Sequence, residues 1–261
     1  MLDYGILAMP YQITAYGLTD VGSVRQRNED VWREVPEHHL YVLADGMGGH
    51  RAGNVAAREA ANGLCQILPE KLAQLDPKVD PLTYIRSSMR LAMEEVNRSV
   101  YMMAKSDENF RGMGTTLCCL LCWDQKIIYG HVGDSRIYRL RNQELEQLTD
   151  DHSLYQELKS KGALPAIEKE EFTYKNIITK AVGTEPVVEP SVGMDELLPG
   201  DLFLICSDGL TDMVSEEEIK KVLAPTQELP EYAAGLVKAA LNHGGLDNIT
   251  VLLILVSPHE S

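Results

Sequence analysis

Acidic residues stand at the ends of apolar, strand-like runs in five places along this chain. Asp45 closes LYVLAD and Asp208 closes LFLICSD. Asp134 follows IIYGHVG, Asp247 precedes NITVLLILV, and Glu29 and Asp30 end SVRQRNED. A lone Asp in such a place has an ordinary use, capping a turn through its own backbone. Five such places at the ends of core strands are another matter, because the ends of neighbouring strands converge. Carboxylates gathered there repel one another and lift one another's pKa, a conflict that divalent cations resolve. Oxygen donors select hard ions, Mg2+ or Mn2+, over zinc.

The stretch LADGMGGHRAG, Leu43 to Gly53, also raises the question of a phosphate-cradling loop. A Walker loop needs G-x-x-x-x-G-K-[ST]. With its glycines on Gly48 and Gly53, Asn54 stands where Lys must be and Val55 where Ser or Thr must be. The dinucleotide fingerprint fails as well, since Gly46 and Gly48 are followed by Arg51 instead of the third glycine. Glycines alone mark tight turns, so the distinctive feature of the loop is Asp45.

Cysteine chemistry is excluded in a similar way. Cys119 and Cys122 form a lone CxxC with no second pair to complete a zinc site. A Cys-x5-Arg nucleophile is also absent: the residues six after each cysteine are Lys71, Asp124, Gln125, Ile128 and Asp212. The pattern GD-x-x-DRG with GNHE, used by another class of metal-dependent hydrolases, is represented only by the first two letters of GDSRIYR.

The elements that must position the carboxylates follow from periodicity. YQITAYGLTD alternates as a strand does, and LYVLAD is short and apolar enough to be a buried one. From Ala52 the apolar residues Val55, Ala56, Ala60, Leu64, Ile67 and Leu68 fall three or four apart, as on an amphipathic helix. A second helix fits Tyr84 to Met103, with Pro81 near its start, where a missing N–H costs little. TTLCCLLCW, KIIYGHV, SRIYRLR and ELEQLT read as strands in antiparallel meanders. Asp151 to Lys161 reads as a helix stopped by Gly162 and Pro165, inside a charged insert from Asp150 to about Pro190. DLFLICSDG is a further strand, followed by helices at Ser215–Leu223 and Leu229–Asn242 and a closing strand, NITVLLILV. Strands at both ends and in the middle, with helical pairs between, predict an α+β fold of two packed antiparallel sheets with helices outside.

Composition narrows the setting. The chain has 261 residues, room for one large domain or two small ones. A formal net charge of −15 argues against nucleic acid, whose phosphates are held by Lys and Arg. No apolar run reaches the roughly 18 residues of a membrane span. The start, MLDYGILAMPYQ, does not read as a signal peptide. With five cysteines mostly in apolar runs, the expectation is reduced thiols and a cytoplasmic location.

Taken in order, VRQRNED, LADGMGGHRAG, GMGTT, GHVGDSRIY, LTDDHS, ITKAVGT, CSDGLTD and DNITVLL resemble the metal-dependent Ser/Thr protein phosphatases of type 2C, particularly their compact bacterial members. The resemblance runs from about Tyr11 to Val256. It implies a single catalytic domain, a four-layer α-β-β-α sandwich with a flap from about 151 to 190. It implies that Asp30, Asp45, Asp208 and Asp247, with the backbone carbonyl of Gly46, surround two Mn2+ or Mg2+ ions. Glu29 would act through metal-bound water, and Asp134 with Asp208 would hold a third, weaker ion. Arg25 would hold the substrate phosphate, while Thr115 and Thr116 would support the site. Met47 follows the Asp-Gly where eukaryotic members often carry His; His50, three residues on, or metal-bound water would protonate the leaving group. Arg136 has two readings, an ion pair with Asp134 or a direct role.

The reaction so implied is hydrolysis of phosphoserine and phosphothreonine on proteins by a hydroxide bridging two metals about 4 Å apart. The partners implied are phosphorylated proteins and the kinases that make them, with the enzyme a monomer. Two alternatives stay open: a catalytically inactive regulatory relative, and a phosphatase dedicated to sigma-factor antagonist proteins.

Overall fold

A computed structural model describes residues 9–47, 52–163, 172, 174, 177–224 and 227–259. The first half runs β1 (Tyr11–Asp20), β2 (Asp30–Val35), β3 (Leu40–Met47), α1 (Ala52–Leu72) and α2 (Pro81–Ser106). Next come β4 (Gly114–Thr115), β5 (Leu117–Trp123), β6 (Lys126–Val132), β7 (Arg136–Arg141), β8 (Glu144–Gln147) and the short helix α3 (Leu154–Ser160). The chain continues through β9 (Ser191–Glu196), β10 (Leu202–Cys206), the single turn α4 (Asp208–Thr211), α5 (Glu216–Leu223), α6 (Leu229–Asn242) and β11 (Ile249–Pro258). α1 begins at the expected Ala52, whereas α2 starts at Pro81, ahead of the expected Tyr84; Pro81 occupies its first turn and Asp80 caps it by accepting from the Thr83 N–H at 2.8 Å.

The strands form two antiparallel sheets. One has the order β1-β11-β10-β7-β8; the other has β2-β3-β5-β6-β9, with β4 paired to β3. The period-2 alternation of strands then divides the core into three layers. In β5, Leu117, Cys119 and Leu121 face α1 and α2, while Cys118, Leu120 and Cys122 face the other sheet. In β10, Leu202, Leu204 and Cys206 face α5 and α6, while Phe203 and Ile205 point between the sheets. Strands buried on both faces read as continuous apolar runs, which is how β5, β10 and β11 look in the sequence. The outcome is the expected sandwich of two sheets between helix layers.

Three expectations need correction. The four middle runs are not one meander: β5–β6 is a hairpin of one sheet and β7–β8 of the other. The chain crosses between sheets at Gly133, whose φ of +106° suits glycine. β2 and β9 were not foreseen; both are edge strands with polar, partly exposed residues. Finally, the ends of the 151–190 insert belong to the core. Isolated bridges join Thr115 to Val182 and Ser153 to Ile178, and Ala181, Val182 and Val188 are buried. The expected helix shortens to α3, capped by Ser153.

Candidate metal centre

All the strand ends that carry the acidic residues lie at one end of the sandwich. Asp30 opens β2 and sits directly opposite Asp45 near the end of β3. Asp134 lies between the end of β6 and the start of β7, and Cys206, the last residue of β10, pairs with Arg136 and Val251. Asp208 opens α4 just beyond, and Asp247 lies just before β11. Antiparallel pairing therefore delivers the carboxylates from both sheets to one place.

Hydroxyl groups hold them there. Asp30 is buried, and its Oδ2 accepts from Ser207 Oγ at 2.8 Å and from Thr250 Oγ1 at 2.7 Å. Those bonds tie β2 to β10 and β11 of the facing sheet. Asp45 is fixed through its backbone: its carbonyl accepts from Thr115 Oγ1 (2.9 Å) and the Thr116 N–H (2.8 Å), and its N–H donates to Thr116 Oγ1 (3.0 Å). Thr116 Oγ1 also lies 2.7 Å from Ser135 Oγ, beside Asp134, which again links the sheets. Thr115 and Thr116 thus fix the Asp45 backbone from β4 and the residue after it.

The loop that carries Arg25 and Glu29 is clamped by Asn248. Its Oδ1 accepts from the Glu29 N–H (2.8 Å), and its Nδ2 donates to the carbonyls of Val21 and Arg27, each at 2.9 Å. Two glycines allow close approach. A Cβ at Gly46 would collide with the carbonyl of Gly53 at the start of α1, and one at Gly209 with the carbonyl of Asn248. Arg25 donates from Nη2 to Asp247 Oδ2 at 2.6 Å and feels the charges of Asp208 and Asp45 as well.

The electrostatics mark one shared neighbourhood. Burial pushes the Asp30 carboxyl up to about 6, although the bonds from Thr250 and Ser207 pull the other way. Asp45 and Asp208 are held well above the usual carboxylate range, first by burial and then by the other acids. For Asp45 these are Asp30, Asp208, Asp134 and Asp247; for Asp208 they are Asp134, Asp212, Asp247 and Asp30. Among the described residues, no three His, Cys, Asp or Glu side chains stand close enough together to hold a metal ion as they are placed.

The donor set fits hard divalent ions. It offers oxygen ligands only, its acids outnumber the Arg25 guanidinium that meets Asp247, and Asp30 Oδ1 is buried with no hydrogen-bond partner. Such an oxygen is costly unless a cation or proton meets it.

Several residues here were not singled out from the sequence: Ser207, Asn248, Thr250, Gly209 and Asp212. Four of the five adjoin an aspartate or lie four residues beyond one, and that adjacency was the available signal. Arg136 is corrected. It makes a two-pronged pair with Asp151 (2.8 and 2.7 Å), on the flap's first residue, and not with Asp134. His50 lies outside the described residues.

Comparison with known proteins identifies the family. The Protein phosphatase 2C family model matches residues 21–243. Protein phosphatase PhpP of Streptococcus pneumoniae is 40% identical over 247 residues, 94% of this chain and 98% of that protein. Among solved structures, the Mycobacterium tuberculosis serine/threonine phosphatase PstP/Ppp superposes with a TM-score of 0.83 at 34% identity, covering 94% of this chain and 99% of that one. The catalytic domain of PstP in complex with 2 manganese ions superposes with a TM-score of 0.79 at 34% identity, covering 94% and 98%. Sequence and architecture match along nearly the full length, and the chain belongs to the protein phosphatase 2C family as a metal-dependent serine/threonine protein phosphatase of bacterial type.

Proposed function

We propose that Asp30, Asp45, Asp208 and Asp247, with the Gly46 carbonyl, hold two Mn2+ or Mg2+ ions, and that Glu29 acts through water in the same site. Asp134, beside Asp208, serves a third and weaker ion. The observation that carries this reading is the buried, unbonded Oδ1 of Asp30 facing a set of carboxylates with raised pKa values. When bound, the ions supply a nucleophile at neutral pH and positive charge against the phosphoryl oxygens.

The chain's own residues do the rest. Arg25 exchanges Asp247 for the substrate phosphate, which its planar fork can bind with two parallel bonds, and so orients phosphorus for in-line attack. Asn248 keeps Arg25 and Glu29 in register with β11. The leaving seryl or threonyl oxygen takes its proton from water or from His50. The reaction needs no covalent phosphoenzyme, in keeping with four buried cysteines and a half-buried Cys65, whose thiols burial pushes up. Those five free cysteines also support a reducing, cytoplasmic setting, and no described helix is long and apolar enough to cross a membrane. We assign the chain as one catalytic domain, monomeric, acting on the products of Ser/Thr kinases.

The test is metal-dependent turnover of p-nitrophenyl phosphate. Activity with Mn2+ should stop with EDTA, Asp208→Ala should cost more than about a hundredfold in kcat, and Asp134→Ala should retain the tight metal sites by calorimetry. Turnover that survives EDTA dialysis would overturn the two-ion reading. Loss of all metal binding in Asp134→Ala would overturn the role given to that residue.

A further inference from the structure

A cavity of about 570 Å³ opens beside the carboxylate cluster, between α3 at the base of the flap and the turn from α4 into α5. It starts one helical turn from the chemistry. Asp208 is the first residue of α4, Thr211 the last, and both Thr211 and Asp212 line the cavity. The Asp212 N–H donates to the Asp208 carbonyl at 2.8 Å, so the two places are rigidly joined.

The walls carry five carboxylates, Asp150, Asp151, Asp212, Glu216 and Glu217, against two cations, Arg136 and Lys159. The Arg136 charge is committed inside the wall. It holds Asp151 with two bonds and the Tyr138 hydroxyl with a third at 2.8 Å, and its side chain is only 11% exposed. Arg136 also lies 4.0 Å from Glu216, which leaves Lys159 against Asp150, Asp212 and Glu217. Glu217, on the first turn of α5, is exposed. A phosphate would be repelled here. A cationic side chain would be drawn in, and its aliphatic stem could lie along Tyr155 and Val214.

We propose that this cavity receives a lysine or arginine of the phosphoprotein substrate, close in sequence to the phosphorylated residue. The reach is suitable: one turn of helix spans about 5–6 Å, and an extended chain advances about 3.3–3.6 Å per residue. A long basic side chain two or three positions from the phosphoresidue can therefore enter. Arg25 takes the phosphate at one end and the acidic cavity takes a positive charge at the other, so the two contacts fix the polypeptide across the site. Binding energy so placed, remote from the reacting centre, positions a large substrate. The proposal rests on the phosphatase reading of the metal site.

The experiment compares matched phosphothreonine peptides carrying Lys, Ala or Glu two and three positions to either side, with p-nitrophenyl phosphate as the small substrate. The wild-type enzyme should favour a Lys peptide over its Glu counterpart by about five- to tenfold in kcat/KM, mainly through KM, as expected for a few partly screened ion pairs. Salt should shrink the preference. Glu217→Lys and Asp150→Asn should weaken or reverse it while p-nitrophenyl phosphate turnover stays unchanged. Equal rates on all peptides, or a Lys preference untouched by both variants, would overturn the cavity assignment. If neither peptide nor aryl phosphate is hydrolysed with Mn2+, the phosphatase reading itself fails and the cavity assignment falls with it.

Discussion

Asp30 is a carboxylate kept inside the protein by two hydroxyl donors on one oxygen, with the other oxygen unbonded. A hydrogen bond to a charged acceptor contributes about 1.5–3 kcal/mol, and groups that orient a metal ligand typically govern affinity by about 10- to 100-fold. Thr250→Val keeps the side chain's shape and removes one donor. It is expected to raise the Mn2+ concentration for half-maximal activity by about tenfold, with kcat at saturating Mn2+ changed much less. Manganese titrations of both proteins check this, and an unshifted midpoint would show that the hydroxyl does not orient the ligand.

The loop between β6 and β7 holds Asp134, and its partner is the segment that leads into α3. His152 accepts from the Gly133 N–H at 3.1 Å through Nδ1, so its Nε2 carries the proton and donates to Ser191 Oγ at 2.9 Å. It also stacks on His131, with ring centroids 4.5 Å apart. Burial, and then the neighbouring His131, push the His152 pKa down to about 3. Above the ordinary value of 6.5 the ring is neutral in folded and unfolded chains alike, and it adds no pH dependence. Below it, the unfolded chain takes up a proton that the native site refuses, so stability falls as pH drops from about 6.5 towards 3, by up to about 1.4 kcal/mol per unit. Burial also pushes His131 down, so it adds to the same slope. His152→Gln should be less stable than wild type at pH 7 yet lose less between pH 6.5 and 5. Urea midpoints at several pH values measure this, and parallel slopes would refute it.

For the whole molecule, the sheets are apolar between their faces but joined at one end by carboxylates and hydroxyls. Asp30, Asp45 and Asp208 have raised pKa values, so the folded, metal-free chain binds protons there that the unfolded chain releases. Stability from this cluster is therefore lost as pH rises from near 4 through 6 and beyond. Cations that bind only the native site oppose that loss by about 2.7 kcal/mol at a hundred times their Kd. In a chain of this size that corresponds to roughly 5–10 °C in Tm. Manganese should thus raise Tm, and more at pH 8 than at pH 5.5, where protons compete for the same oxygens. Thermal scans in EDTA and in Mn2+ at both pH values test this, and equal shifts would separate the cluster's charge from metal binding.

Residue type and local period determined much of this protein. The buried strands β3, β5, β10 and β11, the long helices and the acidic positions at strand ends are legible because alternation and 3.6-residue spacing are properties of adjacent residues. The ordered motifs carried the family for the same reason. Tertiary structure decided what depends on which strands become neighbours. It split β5–β6 and β7–β8 between two sheets, placed the polar edge strands β2 and β9, and gave Arg136 to Asp151 instead of Asp134. It also made Ser207 and Thr250 the donors to Asp30, 177 and 220 residues away. Small hydroxyl residues carry no pattern that announces such a partner, because the bond exists only once the two sheets are stacked.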